Sequence, residues 1–346
     1  MDQIARQSDA EQTELFREAA NSKGVHFQII EKDFWVCWTL KRLFSLPEIG
    51  PQFIFKGGTS LSKAYHIIER FSEDIDVAIE RSFLGFGDEV EFQSMSKNKQ
   101  RPKAIKELDD KCKEFVQTRV LESLRTSFQT ELRNEFGIEW GLDIAEDDRY
   151  GQTILFTYPR DQRNSLGNEL DYIKPYVRIE MGARPTNEPV QLEGIQSYAS
   201  EEFPDAFADP TFKLNVLSAE RTFWEKATIL HEQYHRADDY KSAERMSRHY
   251  YDLFKLAHSQ FADKAIANRD LLRQVVDNKK LFFSRGPANY DEALVGELHL
   301  VPREPRVETF KQDYRKMDIM FFDEPPKFDE IITSLSALEE QINAEA

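Results

Sequence analysis

The sequence predicts an α/β (α+β) protein: a small mixed sheet with flanking helices, followed by a mainly helical C-terminal domain. Three observations carry that prediction. Short apolar or alternating runs at 53–55, 74–80, 153–158 and 176–181 read as strands. Around them, and throughout residues 218–280, apolar residues recur at helical spacing instead. The chain changes character near 210–217, mixed before and helical after, so we place two domains at 1–212 and 213–346. A hydrophobic share of 40%, with 26 Phe and 12 Tyr, supplies their cores and argues against disorder.

The elements follow in order. Residues 1–45 read as helical, with Phe34, Trp38, Leu40 and Leu43 at helical spacing until Pro47 and Gly50 end the region. Residues 53–55 form a strand that runs into Lys56-Gly57-Gly58-Thr59-Ser60, and Leu61, Ala64, Tyr65 and Ile68 continue as a helix. Residues 74–80 alternate polar and apolar, as a half-buried strand does. Residues 85–102 read as a loop and 105–136 as a long polar helix. Strands are expected at 138–144, 153–158, 176–181 and 190–195, with the last pairing to 176–181. Helices are expected at 218–236, 241–260, 262–280 and 328–343, with a looser, proline-containing stretch from 287.

Composition removes several function classes. Lys+Arg is 46 against Asp+Glu 62, a formal net charge of −16, which excludes an even basic coat for duplex nucleic acid but not a local basic patch. Cys37 and Cys112 are too few for a disulfide scaffold or a four-cysteine zinc site, so two reduced thiols in a cytoplasmic protein are expected. There is no apolar run of about 18 residues, and the start of the chain lacks the apolar stretch of a signal peptide.

The chemistry concentrates between Lys56 and Glu80. Asp74 and Asp76 lie two apart on an expected strand, so their side chains leave the same face. Two carboxylates so close repel unless a cation lies between them or one is protonated. Oxygen ligands suit Mg²⁺ (or Mn²⁺), and a glycine turn feeding a helix offers backbone N–H groups to phosphate. Together these are the equipment for metal-assisted phosphoryl or nucleotidyl transfer. Taken singly, the glycine pair reads as an ordinary turn and the Asp-x-Asp as a solvated strand face.

Gly57-Gly58-Thr59-Ser60-Leu61-Ser62-Lys63, followed by Arg70-Phe71-Ser72-Glu73-Asp74-Ile75-Asp76, resembles the AbiEii/AbiGii-type nucleotidyltransferase toxins, which include the MenT-like enzymes of the DNA polymerase beta-like nucleotidyltransferase superfamily. The resemblance extends to Glu31-Lys32-Asp33-Phe34-Trp35-Val36, to residues 218–226 and to Arg248-His249-Tyr250-Tyr251-Asp252-Leu253, about residues 30–260 in all. It implies a nucleotidyltransferase fold in which Gly57, Gly58, Thr59 and Ser60 hold the triphosphate, with Lys63 in the same segment. It implies that Asp74 and Asp76 bind divalent metal and that a third carboxylate stands on a neighbouring strand, a place Glu180 fits. Lys226 would contact the nucleotide, and Asp252 belongs to the last motif. Two departures stand out. The gap from Gly58 to Asp74 is longer than the general superfamily pattern, although this branch has that insertion. Relatives often carry an extra acid before the tyrosine near 250, which leaves the role of 248–252 open.

Lys226 also stands out without the resemblance. It lies in or beside a stripe formed by Phe223, Ala227, Leu230 and Tyr234, where a lysine must snorkel out or meet an anion such as a triphosphate or a carboxylate. His231-Glu232-Gln233-Tyr234-His235 in the same helix matches H-E-x-x-H, the zinc-peptidase pattern, but the metzincin third histidine is absent and the next glutamates are Glu244 and Glu292. Residues 97–106 hold five basic residues and no acid, so Lys97, Lys99, Arg101 and Lys103 are candidate contacts to RNA phosphates, or a solvated loop. Residues 318–346 carry eight acids and one lysine, a face for a basic antitoxin.

The expectation is therefore a nucleotidyltransferase toxin of a toxin–antitoxin or abortive-infection pair. It would move NMP from an NTP to an acceptor hydroxyl, in the first place a tRNA 3′ end, since MenT-group relatives act there. A protein-AMPylating transferase, a zinc peptidase through 231–235 and a nucleotide-binding module without turnover are the alternatives. The expected partners are the NTP, the tRNA and a cognate antitoxin, with a DNA-binding protein as the form to seek in a neighbouring gene. No membrane is expected.

Overall fold

A computed structural model describes residues 1–132, 139–160, 173–185, 188–242, 244–283 and 288–344. In chain order the main elements are α1 (Asp2–Ala5), α2 (Asp9–Lys23), α3 (Phe27–Phe44), β1 (Phe53–Lys56), α4 (Gly57–Lys63), β2 (Ile75–Ile79), α5 (Glu89–Ser94), α6 (Gln100–Phe115), α7 (Leu121–Glu131), β3 (Gly141–Ile144), β4 (Thr153–Thr157), β5 (Tyr176–Gly182), β6 (Val190–Gln196), α8 (Tyr198–Glu202) and β7 (Thr211–Leu217). Then come α9 (Ala219–Tyr234), α10 (Arg248–Ala257), α11 (Ala262–Ala267), α12 (Arg269–Phe282), α13 (Glu304–Arg315) and α14 (Phe328–Ala344). The chain forms two compact units: residues 1–64, 71–88 and 96–216, and residues 65–70, 89–95 and 217–346. Among the described residues no helix is long and apolar enough to cross a membrane. Both cysteines are free thiols, and both are buried.

The first unit is built on a seven-stranded sheet ordered β3-β4-β5-β2-β1-β7-β6. β1 pairs antiparallel with β2 and parallel with β7, while β2 pairs parallel with β5. β3, β4 and β5 form an antiparallel run at one side. Helix α3 packs against β5, and its burial is nearly complete. Its Trp35 stacks on Tyr158 at 5.7 Å, and Trp38 meets Phe128 at 4.6 Å and Phe156 at 5.8 Å. Upstream, α2 starts with a capping box between Ser8 and Glu11 and stops at Gly24, whose φ of 70° closes the helix in the left-handed region.

In the second unit α9 is the central helix. Its apolar and polar faces are both covered, by α10, α11 and α12, and α14 lies against α10. Trp224 donates its indole N–H to the Ala265 carbonyl at 2.9 Å, which ties α9 to α11. The short helix α5 joins this unit through Phe92 on Phe282 and Glu89 on Asn278.

Several expectations need correction. β6 does not pair with β5 but neighbours β7, a strand missing from the sequence reading. Residues 211–217 carry Phe212, Leu214 and Val216 at the two-residue period, a strand signal that the composition shift at this boundary masks. The helix after the glycine turn ends at Lys63 rather than reaching Ile68, because the chain turns at His66 with φ 52°. The expected loop at 85–102 contains α5 and the start of α6, and the long polar helix is broken by a π-helical turn at 116–120 before α7. Residues 133–136 of that expected helix lie outside the described residues.

Candidate active site

The glycine turn and the acidic pair form one structure in the first unit. β1 ends at Lys56, and Gly57 opens α4 with φ 80°, a conformation that favours glycine. Lys56 is the register partner of Asp76 on β2, and Asp76 is in turn the register partner of Glu180 on β5. Register partners on adjacent strands point to the same face, so Lys56, Asp76 and Glu180 make one row across three strands. A Cβ on Gly57 would lie 1.9 Å from Asp76 Oδ2, so the missing side chain is what lets the carboxylate approach the turn. Asp74 directly precedes β2, and the Thr59 hydroxyl donates to its carbonyl oxygen while lying 3.0 Å from Ser72 Oγ. That bond stitches α4 to the backbone carrying Asp74.

In this turn Gly57 and Gly58 are half-buried, and the residues after them face inward. Thr59 and Ser60 are buried, and Ser60 Oγ donates back to the Gly57 carbonyl at 2.9 Å. Both hydroxyls are spent internally, so neither is offered to a triphosphate in this structure. Lys63 is also buried, its ammonium 2.7 Å from Asp33 Oδ1 and 3.4 Å from the Tyr198 ring centroid. Burial opposes the Lys63 charge, but Asp33 more than offsets this and raises its pKa. In this structure Lys63 is thus an internal partner of Asp33 rather than a phosphate ligand.

The donors at this face suit a hard divalent cation. Asp74, Asp76 and Glu180 supply only carboxylate oxygens, which matches Mg²⁺ or Mn²⁺ rather than a softer metal. Glu180 has a further partner that the sequence reading passed over. Arg178, two residues earlier on the same strand face, donates from Nε to Glu180 Oε1 at 2.8 Å and from Nη1 to Asp147 at 3.0 Å. The alternation Tyr176-Val177-Arg178-Ile179-Glu180 already puts the two side chains together, and that was the available signal.

The basic segment lies at the surface of the same unit. Lys97 and Lys99 are exposed in the turn before α6, and Arg101 and Lys103 fall in its first helical turn, which contains no acid. Lys103 pairs with Glu107 at 3.5 Å, one turn on.

In the second unit Lys226 meets an anion, and that anion is Asp252. Lys226 Nζ donates to Asp252 Oδ2 at 2.8 Å and contacts His249 Nδ1 at 3.1 Å. Arg70 grips the same carboxylate with Nε at 2.8 Å and Nη2 at 2.9 Å. Burial acts to raise the Asp252 carboxyl, yet Arg70 and Lys226 hold it well below the usual range. Burial, with Lys226 beside it, drives His249 well below the usual imidazole range, so a neutral ring accepts from the lysine. Asp252 is fully buried with both oxygens engaged. That makes it an orienting partner of two cations, not the metal ligand or base that a catalytic carboxylate would be. Arg70 is the member of this trio that sequence reasoning missed.

His231, His235 and Glu292 place three ligand-type atoms within 4.8 Å of one another. The hydrogen bonds nevertheless turn the zinc-peptidase reading down. His231 Nδ1 accepts from the His299 N–H at 3.1 Å, so its proton sits on Nε2, 3.1 Å from the Asn289 carbonyl. A neutral imidazole bonded in this way has no lone pair left for a metal. Glu232, the base of such a site, instead accepts from Tyr290 Oη at 2.7 Å and pairs with Arg236. The segment is a packed helix flank.

The profile of the family described as "Nucleotidyl transferase AbiEii toxin, Type IV TA system" matches residues 38–334. A search of curated proteins finds no match. Among solved structures, the chain is similar to MenT4, a nucleotidyltransferase toxin from Mycobacterium tuberculosis H37Rv, at 16% identity, over 95% of this chain and 98% of that one, with a TM-score of 0.46.

Proposed function

Because the chain belongs to the AbiEii nucleotidyltransferase toxin family of type IV toxin–antitoxin systems, we propose that it transfers NMP from an NTP to the 3′ hydroxyl of a tRNA, using Mg²⁺ or Mn²⁺, in the cytoplasm and under control of a cognate antitoxin. The observation that carries this reading is the close approach of Gly57 to Asp76, which puts the turn's amides beside the acidic face. Asp74, Asp76 and Glu180 would hold the metal. When bound, a divalent ion offsets triphosphate charge and lowers the pKa of an attacking hydroxyl. The amides of Gly57 and Gly58 would bind phosphate oxygens, with Thr59 and Ser60 holding the turn's shape. Lys226, oriented by Asp252, is assigned to the nucleotide on chemical grounds, since Arg70, Lys226 and Asp252 carry a net positive charge. The acceptor oxygen forms a bond to the α-phosphorus and its proton passes to solvent, the α–β phosphoanhydride bond breaks, and pyrophosphate leaves.

Support for an RNA acceptor comes from α6. Arg101 and Lys103 stand in its first helical turn, just after the exposed Lys97 and Lys99, so basic side chains cluster there at the surface. An RNA phosphate would be attracted to that cluster. The test is incubation with each labelled NTP in turn, Mg²⁺, total RNA and total protein. Label at tRNA 3′ ends is expected. Label on protein would move the acceptor to a protein hydroxyl, and no label on either would refute the transfer reading.

A further inference from the structure

Glu31, Lys32 and Asp33 are three consecutive charged residues in the middle of a packed helix, and all three are buried. Buried charges persist only when paired and hydrogen-bonded, so their partners carry information. Successive side chains on a helix point about 100° apart, and these three reach different parts of the first unit. Lys32 Nζ lies 3.0 Å from Glu73 Oε2 and donates to the Lys174 carbonyl at 2.9 Å. Glu73 adjoins Asp74, and Lys174 lies two residues before β5, the strand that carries Glu180. Asp33 takes Lys63, the last residue of α4, on Oδ1 and accepts the Tyr198 N–H on Oδ2 at 2.6 Å. Glu31 lies 3.6 Å from Arg160.

A core helix that needed only to pack would carry apolar residues at these positions, at no desolvation cost. Two of its charges are spent instead on Glu73, the neighbour of Asp74, and on Lys63, three residues beyond Ser60 at the end of the helix that the glycine turn opens. We propose that Lys32 and Asp33 are positioning residues for the transfer reaction, Lys32 aligning Asp74 and the start of β5 through Glu73 and the Lys174 carbonyl, and Asp33 aligning the Gly57–Ser60 turn through Lys63. The inference deepens the function proposed above and rests on it. Lys32 acts on the metal-holding carboxylates, and Asp33 acts on the nucleotide. Neither touches substrate.

The two arms predict different kinetic signatures, which a merely structural role would not. The series is wild type, Asp76→Asn, Glu73→Gln, Lys32→Met, the exchange Lys32→Glu with Glu73→Lys, and Asp33→Asn. Each is assayed for kcat, KM for NTP and the Mg²⁺ concentration giving half-maximal transfer, with the folded fraction measured by circular dichroism. Glu73→Gln and Lys32→Met are expected to raise the Mg²⁺ requirement by about 10-fold, the usual scale for outer partners of metal ligands. The exchange should restore much of that loss. Asp33→Asn is expected to raise KM for NTP by about 10-fold while the Mg²⁺ requirement holds. Glu73→Gln is isosteric and leaves Lys32 its bond to Lys174, so it stays informative where Lys32→Met does not fold. Folded variants with wild-type KM and Mg²⁺ requirement, or losses that follow the folded fraction alone, overturn the inference. A wild type without transfer, like Asp76→Asn, instead overturns the function and the inference with it.

Discussion

At Gly57 a methyl group would sit 1.9 Å from Asp76 Oδ2, on a backbone with φ 80°. Gly57→Ala should therefore cost about 1–2 kcal/mol of strain and move the carboxylate. Displacement of that order costs about 100-fold in rate, so kcat of the folded variant should fall by that factor. At Asp252 the consequence falls on stability. Removing its charge strands Arg70 and Lys226 in the interior, and Asp252→Asn should lower unfolding free energy by about 3–5 kcal/mol in urea titration. Much at this scale was legible. An Asp-x-Asp must share a strand face, and a lysine in an apolar stripe must find an anion. The identity of that anion was not legible, because Asp252 and Arg70 reach Lys226 from positions 26 and more than 150 residues away. The inward turn of Thr59 and Ser60 was likewise hidden, since a hydroxyl's partner depends on tertiary neighbours.

Among the elements, α9 shows how one helix can carry a motif without its chemistry. His231-Glu232-Gln233-Tyr234-His235 has the right spacing for zinc, but His231 is already spoken for by Asn289 and His299, and Glu232 by Tyr290 and Arg236. This packing has a pH signature. Burial lowers His231 from 6.5 to about 4, opposed by its bond to Asn289, and burial also lowers His235 and His249. A depressed folded pKa contributes stability that is present above the unfolded value and lost as pH falls through the folded one. His231 alone should then cost about 3 kcal/mol between pH 6.5 and 4. Thermal melts across that window should steepen in the wild type and flatten in His231→Gln. The strands were less readable than the helices. β7 alternates clearly, yet its pairing with β1 through Phe55 and Val216 joins residues too distant for a local pattern to connect.

For the whole molecule, the net charge of −16 coexists with a surface segment, 97–106, that holds five cations and no acid. Bulk acidity thus limits where a nucleic acid can bind rather than whether it can. The architecture of a mixed sheet followed by helices was readable because strand and helix periods differ and change once along the chain. The assignment of residues 65–70 and 89–95 to the helical unit was not readable, since those contacts are made far along the chain. The central claim is that Asp74, Asp76 and Glu180 serve metal-dependent nucleotidyl transfer. The most direct measurement follows label from an α-³²P NTP into total RNA, with and without Mg²⁺, for wild type and for folded Asp76→Asn. Incorporation is expected from wild type with Mg²⁺ alone, and none after chelation or from Asp76→Asn. Equal incorporation by Asp76→Asn, or by wild type in excess chelator, would contradict it.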